Sequence, residues 1–118
     1  MQMIITNITC NQRHSTTQDD NVFLLIQADA GVPARYPLVD SEDMGNGSTM
    51  TLPDGGYVVN FDYGVVVTGW DLDSRIFTNV NAPDFLFNFS VNSNSASYSG
   101  TMSNENGAKY SYSYTISQ

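Results

Sequence analysis

Basic residues are scarce in this chain: Arg13, Arg35, Arg75 and Lys109 stand against twelve acids, for a formal net charge of −8 and a pI of about 4.1. Such a surface repels a polyanion, so nucleic acid is excluded as a partner class. Cysteine and histidine occur once each, as Cys10 and His14. An intrachain disulfide is impossible, and that pair alone does not supply the roughly four nitrogen or sulfur ligands of a structural zinc site. No run reaches the roughly 18 apolar residues of a membrane-spanning helix. There is no Gly-x-Ser-x-Gly elbow and no phosphate loop. A nucleophile and base arrangement would have to pass through His14, which lies in the polar run Asn11 to Gln18 and reads as a solvated loop residue. The expectation is a binding module and not an enzyme. Met1 is followed by Gln2-Met3-Ile4-Ile5, with neither a basic n-region nor a signal-length apolar run, so no secretion signal is expected. The single lysine and the abundance of Asn, Ser, Thr and Tyr lean toward an extracellular style.

What remains is 118 residues with 41% hydrophobic content, enough for one domain with one core. Apolar residues alternate between turn signals that recur along the chain, and no segment longer than a turn shows helical periodicity. Tyr110, Tyr112, Tyr114 and Ile116 share one parity, as do Phe85, Phe87, Phe89 and Val91. Ile4, Ile8 and Cys10 form a third set. Val22 to Ala28 is apolar on both sides, which suits a central strand. Asn106-Gly107 favours positive φ and predicts a hairpin after Ala96 to Met102. Pro33 and Pro37 confine Arg35-Tyr36 to an edge or loop. Pro53-Asp54-Gly55-Gly56 is a turn between Thr49 to Leu52 and Tyr57 to Phe61. These runs predict an all-β fold, a single antiparallel β-sandwich of about eight strands spanning 1–118. The expected core contains Ile4, Ile8, Leu24, Ile26, Val65, Val67, Phe87, Tyr112 and Ile116.

The acids gather at predicted strand ends. Asp19 and Asp20 precede the strand from Val22, Asp71 and Asp73 follow the strand ending in Trp70, and Asp84 precedes the strand from Phe85. Carboxylates at one end of a sandwich can converge on a hard cation, and calcium takes about six to eight oxygens. Asp19, Asp20, Asp71, Asp73 and Asp84 are therefore the candidate metal ligands, the alternative being ordinary turn acids. Asp40, Glu42 and Asp43 read as a solvated loop. Tyr36, Tyr57 and Tyr63 lie beside turns and, with Trp70, are the candidate ligand-binding aromatics, suited to a glycan ring or a protein patch. Trp70 also reads as core, because it shares parity with Val66 and Leu72.

The order of strand, Trp70-Asp71-Leu72-Asp73, loop and Pro83-Asp84-Phe85-Leu86 resembles the third calcium loop of the calcium-dependent phospholipid-binding sandwich domains of protein kinases C and synaptotagmins. Asp19-Asp20-Asn21-Val22-Phe23 is similar to the first-loop aspartate of those domains. The resemblance covers two short segments and the strand count. It implies a β-sandwich with calcium as cofactor and a membrane surface as partner. The ten residues between Asp73 and Asp84 exceed the family's usual third loop, and its polybasic strand is missing. Two functional classes follow. One is a calcium-binding recognition module for a glycan or membrane surface. The other is a metal-independent, lectin-like or toxin-associated subunit that meets another protein, or a further copy of itself, through an edge or aromatic patch.

Overall fold

The alternating runs form strands throughout the computed structural model, which describes residues 1–15, 17–72, 84–104 and 106–118. Among the described residues there are nine strands and no helix. They are β1 Gln2–Gln12, β2 Asp20–Ala28, β3 Ala34–Tyr36, β4 Glu42–Met44, β5 Tyr57–Asn60, β6 Gly64–Asp71, β7 Asp84–Asn92, β8 Tyr98–Ser103 and β9 Lys109–Ser117. One sheet has the order β5-β1-β9-β8, and the other has the order β3-β2-β6-β7 with β4 also paired to β2. All pairings are antiparallel. The predicted antiparallel sandwich is therefore the observed fold. The β8–β9 hairpin also forms, with Ser103 opposite Lys109 and Gly107 at φ 97°.

The core lies between the sheets. Ile8, Leu24, Ile26, Val65, Val67 and Phe87 are buried in it, and Tyr112 and Ile116 pack against it partly buried. Rings from β7 and β9 stack across the gap, Phe87 on Tyr110 at 5.0 Å and Phe89 on Tyr112 at 4.3 Å between centroids. Ile4 is a correction: it is only half-buried, whereas Met3 and Ile5 are fully buried. The register of β1 against β9 shifts between Ile5 and Asn7, so an extra residue at Thr6 reverses the parity upstream of Ile8. Trp70 is a second correction to the core reading. Val65, Val67, Gly69 and Asp71 point inward along β6, leaving Val66, Thr68 and Trp70 on the outer face. The Phe87 ring occupies the space a Cβ at Gly69 would need.

Both sheets have an interrupted edge. Thr49 bridges Thr9 and Tyr57 pairs with Ile5, so the segments on either side of Pro53 to Gly56 line the same side of β1, and that turn is a loop-out along one edge. Tyr36 pairs with Leu24 and Glu42 with Val22, so β3 and β4 likewise share one side of β2. Between them Arg35 donates to the carbonyls of Pro37 and Asp40, both at 2.6 Å, and lies 4.4 Å over the Phe23 ring. The peptide between Tyr36 and Pro37 is cis. The solvated-loop expectation for Glu42 and Asp43 gives way here, because both lie in β4 and the Glu42 carboxylate accepts the Thr51 N–H at 2.9 Å.

Candidate metal centre

Antiparallel pairing brings the acids to one end. β2 begins where β6 ends, with Val22 opposite Asp71, and β7 begins beside it, with Asp84 opposite Asp71. The chain between β1 and β2 folds over this end, anchored by Arg13 N–H donating to Asn46 Oδ1 at 2.9 Å. That turn inserts His14 among the carboxylates. Its Nε2 lies 2.5 Å from Asp71 Oδ2, 3.7 Å from Asp20 Oδ1 and 3.6 Å from Asp84 Oδ2. One ligand atom from each of His14, Asp20 and Asp71 falls within 4.8 Å of the others.

Each inner carboxylate is held from behind. Asp20 is fully buried, its Oδ2 accepts the Tyr110 hydroxyl at 2.6 Å, and its oxygens also accept the His14 N–H at 3.2 and 3.3 Å. Asp71, 8% exposed, accepts the Asn21 N–H on Oδ1 at 2.7 Å. Burial pushes the Asp20 carboxyl above its ordinary range and the Asp71 charge adds to this, while the Tyr110 hydroxyl and His14 act in the opposite direction. Burial, then the bond to Asp20, raises the Tyr110 phenol well above its usual value and keeps it a donor. Burial also raises the Cys10 thiol, which sits opposite Tyr110 in the β1–β9 pairing.

Of the acids named from the sequence, Asp20, Asp71 and Asp84 converge around His14. Asp19 is adjacent but turned to Arg13 Nη1 at 2.9 Å. Asp73 lies outside the described residues. The four aromatics do not form one patch. Trp70 stands at the metal end, its Nε1 donating to Thr68 Oγ1 at 2.8 Å and its ring edge-on to Phe85 at 5.6 Å. Tyr36 and Tyr57 meet edge-on at 5.1 Å between the two interrupted edges, with the Tyr36 hydroxyl donating to the Thr51 carbonyl. Tyr63 is 80% exposed at the opposite end, where it lines an apolar depression of about 420 Å³ with Val66 and Val91.

Two participants escaped the sequence reading. His14 is not a solvated loop residue, since its side chain is 20% exposed and directed into the acids. Its only sequence signal was a lone imidazole six residues before Asp20. Tyr110 looked like any inward tyrosine of an alternating strand, and nothing in that pattern marks a hydroxyl that ends on an aspartate. On its other side His14 borders a polar depression of about 440 Å³ with Gln12, Arg13, Asn46 and Asn106.

No family model and no curated protein matches the sequence. The fold, by contrast, matches a solved structure described as a C2 domain, with a TM-score of 0.69 over 100% of this chain and 99% of that one, at 12% identity. The chain therefore has a C2-domain fold, the architecture of the sandwich domains that its acidic strand ends resemble.

Proposed function

We propose that this chain is a recognition module in which a divalent cation, held between the β1–β2 turn and the β6–β7 junction, prepares one end of a C2-fold sandwich to meet a membrane surface. The carrying observation is the convergence of Asp20, Asp71 and Asp84 on His14 from separate elements. Asp71 and Asp84 are direct cross-strand partners, an arrangement of like charges that opposes pairing. A dication relieves that repulsion, and at a net charge of −8 it also gives a phosphate-bearing surface something to bind. Phosphate oxygens of lipid headgroups, or hydroxyls of a glycan, would complete the ion's coordination.

Calcium is the ion that the fold's likeness implies. The test is a thermal melt with calcium, magnesium or zinc added singly against a chelator control, followed by sedimentation with phosphatidylserine vesicles. A cation at 100 times its dissociation constant adds about 2.7 kcal/mol. Asp71→Asn should remove that response, and vesicle binding should require the ion. No response to any cation would sink this reading. The metal-independent subunit then becomes the better account, supported by the exposed side chains of Leu38 (85%) and Val39 (76%) on the Arg35-braced edge.

A further inference from the structure

We infer that this site is built for a small, four-coordinate dication of zinc's class in preference to calcium, with His14 as its nitrogen ligand. The inference rests on the reading of this end as a cation site and concerns which ion it selects. Calcium requires about six to eight oxygens and commonly takes carboxylates through both of their oxygens. The described side chains that converge here present a different set. The Tyr110 hydroxyl at 2.6 Å holds Asp20 Oδ2 and the Asn21 N–H at 2.7 Å holds Asp71 Oδ1, so each carboxylate directs its other oxygen toward His14, that of Asp20 also accepting the longer His14 N–H bond at 3.2 Å. What faces the centre is Asp20 Oδ1, Asp71 Oδ2 and an imidazole nitrogen, with Asp84 Oδ2 alongside.

One nitrogen and two single oxygens, with Asp84 beside them, are donors suited to zinc and its neighbours, which accept imidazole readily and settle at about four ligands. The spacings agree. Metal–ligand bonds of about 2.0–2.2 Å in a tetrahedron place donor atoms about 3.4 Å apart. Nε2 lies 3.7 Å from Asp20 Oδ1 and 3.6 Å from Asp84 Oδ2. The 2.5 Å contact to Asp71 is a hydrogen bond that the metal would replace, opening it by about 1 Å. The bonds from Tyr110 and Asn21 are the outer support that orients metal-binding carboxylates. Asp84, half exposed, is the position at which an external ligand can enter.

Calorimetric titration of the intact chain with zinc chloride and with calcium chloride should give at least tenfold tighter binding of zinc. His14→Ala should weaken zinc at least tenfold and calcium by a smaller factor. Cobalt(II), used as a spectroscopic stand-in, should give the intense visible absorption of a four-coordinate site in the wild type and in Cys10→Ala. That absorption should be lost in His14→Ala. If the far-ultraviolet spectrum shows His14→Ala to be unfolded, His14→Gln takes its place. Calcium binding more tightly than zinc, or zinc affinity indifferent to His14, overturns the inference while leaving a cation site intact. If neither ion binds, the inference and the proposed function fail together.

Discussion

A single hydroxyl decides how Asp20 is held. Tyr110 donates to a carboxylate with no exposed surface, and every buried side-chain polar atom among the described residues has a partner. Tyr110→Phe keeps the ring stack on Phe87 but leaves Asp20 one donor short. The expected cost is about 1–3 kcal/mol in urea unfolding at neutral pH, the penalty for an unsatisfied buried acceptor. A change below about 0.5 kcal/mol, the scale of an ordinary surface substitution, would show that the bond contributes nothing. At the other end of the molecule Asp29, at φ 55°, accepts the N–H groups of Asp62, Tyr63 and Gly64 at 2.7 to 3.0 Å. These bonds, that from Gly64 foremost, hold its carboxyl below the ordinary aspartate range. Since the folded value is the lower one, this contribution is present above about 4 and is lost as pH falls through the folded value. Asp29→Asn should therefore be destabilised relative to wild type at pH 7, and the gap should be smaller at pH 2.5. Urea midpoints at the two pH values measure it, and a gap independent of pH would refute the assignment.

Strand identity and strand parity come from different causes. β6 reads as a strand from its valines, yet its inward set is settled by Gly69, which leaves room for the Phe87 ring opposite. Gly69→Ala should cost about 1–3 kcal/mol through overpacking, measured by chemical denaturation, with the sheet content of the far-ultraviolet spectrum retained. A neutral outcome would mean that Phe87 has somewhere else to go. β1 carries the same lesson. Its apolar residues fall on both parities, and the bulge at Thr6 reconciles them by turning Met3 and Ile5 to the core on one side and Ile8 and Cys10 on the other. A bulge needs only one extra residue of no special type, so the alternation alone assigned Ile4 to the interior and missed its neighbours.

Charge acts on the molecule as a whole. With a net charge of −8 and only four basic residues, most of the surface repels itself, and the acids at the β2, β6 and β7 ends add a local concentration of like sign. Screening shortens from about 30 Å at 0.01 M salt to about 8 Å at 0.15 M. The melting temperature of the metal-free chain should therefore rise over that range of sodium chloride. A saturating cation should make the rise smaller, because it has already neutralised the densest cluster. A melting temperature that falls with salt would show that pairs such as Arg13–Asp19 outweigh the repulsion.

The fold class followed from local chemistry: β-branched and aromatic alternation with Gly, Pro and Asn at the turns admits few alternatives to an antiparallel sandwich. The clustering of Asp20, Asp71 and Asp84 was legible for a related reason. Acids at the ends of successive antiparallel strands are limited to two ends of the sheet, and the register places these three at the same one. Side-chain direction along β1 was not legible, because period-two alternation is reversed by one bulged residue. The roles of His14 and Tyr110 belong to the tertiary structure alone. Tyr110 reaches Asp20 across 90 positions of chain and His14 reaches Asp71 across 57. Contacts at such separations are set by sheet packing and by the anchoring of one turn, neither of which leaves a local pattern in the residues that make them.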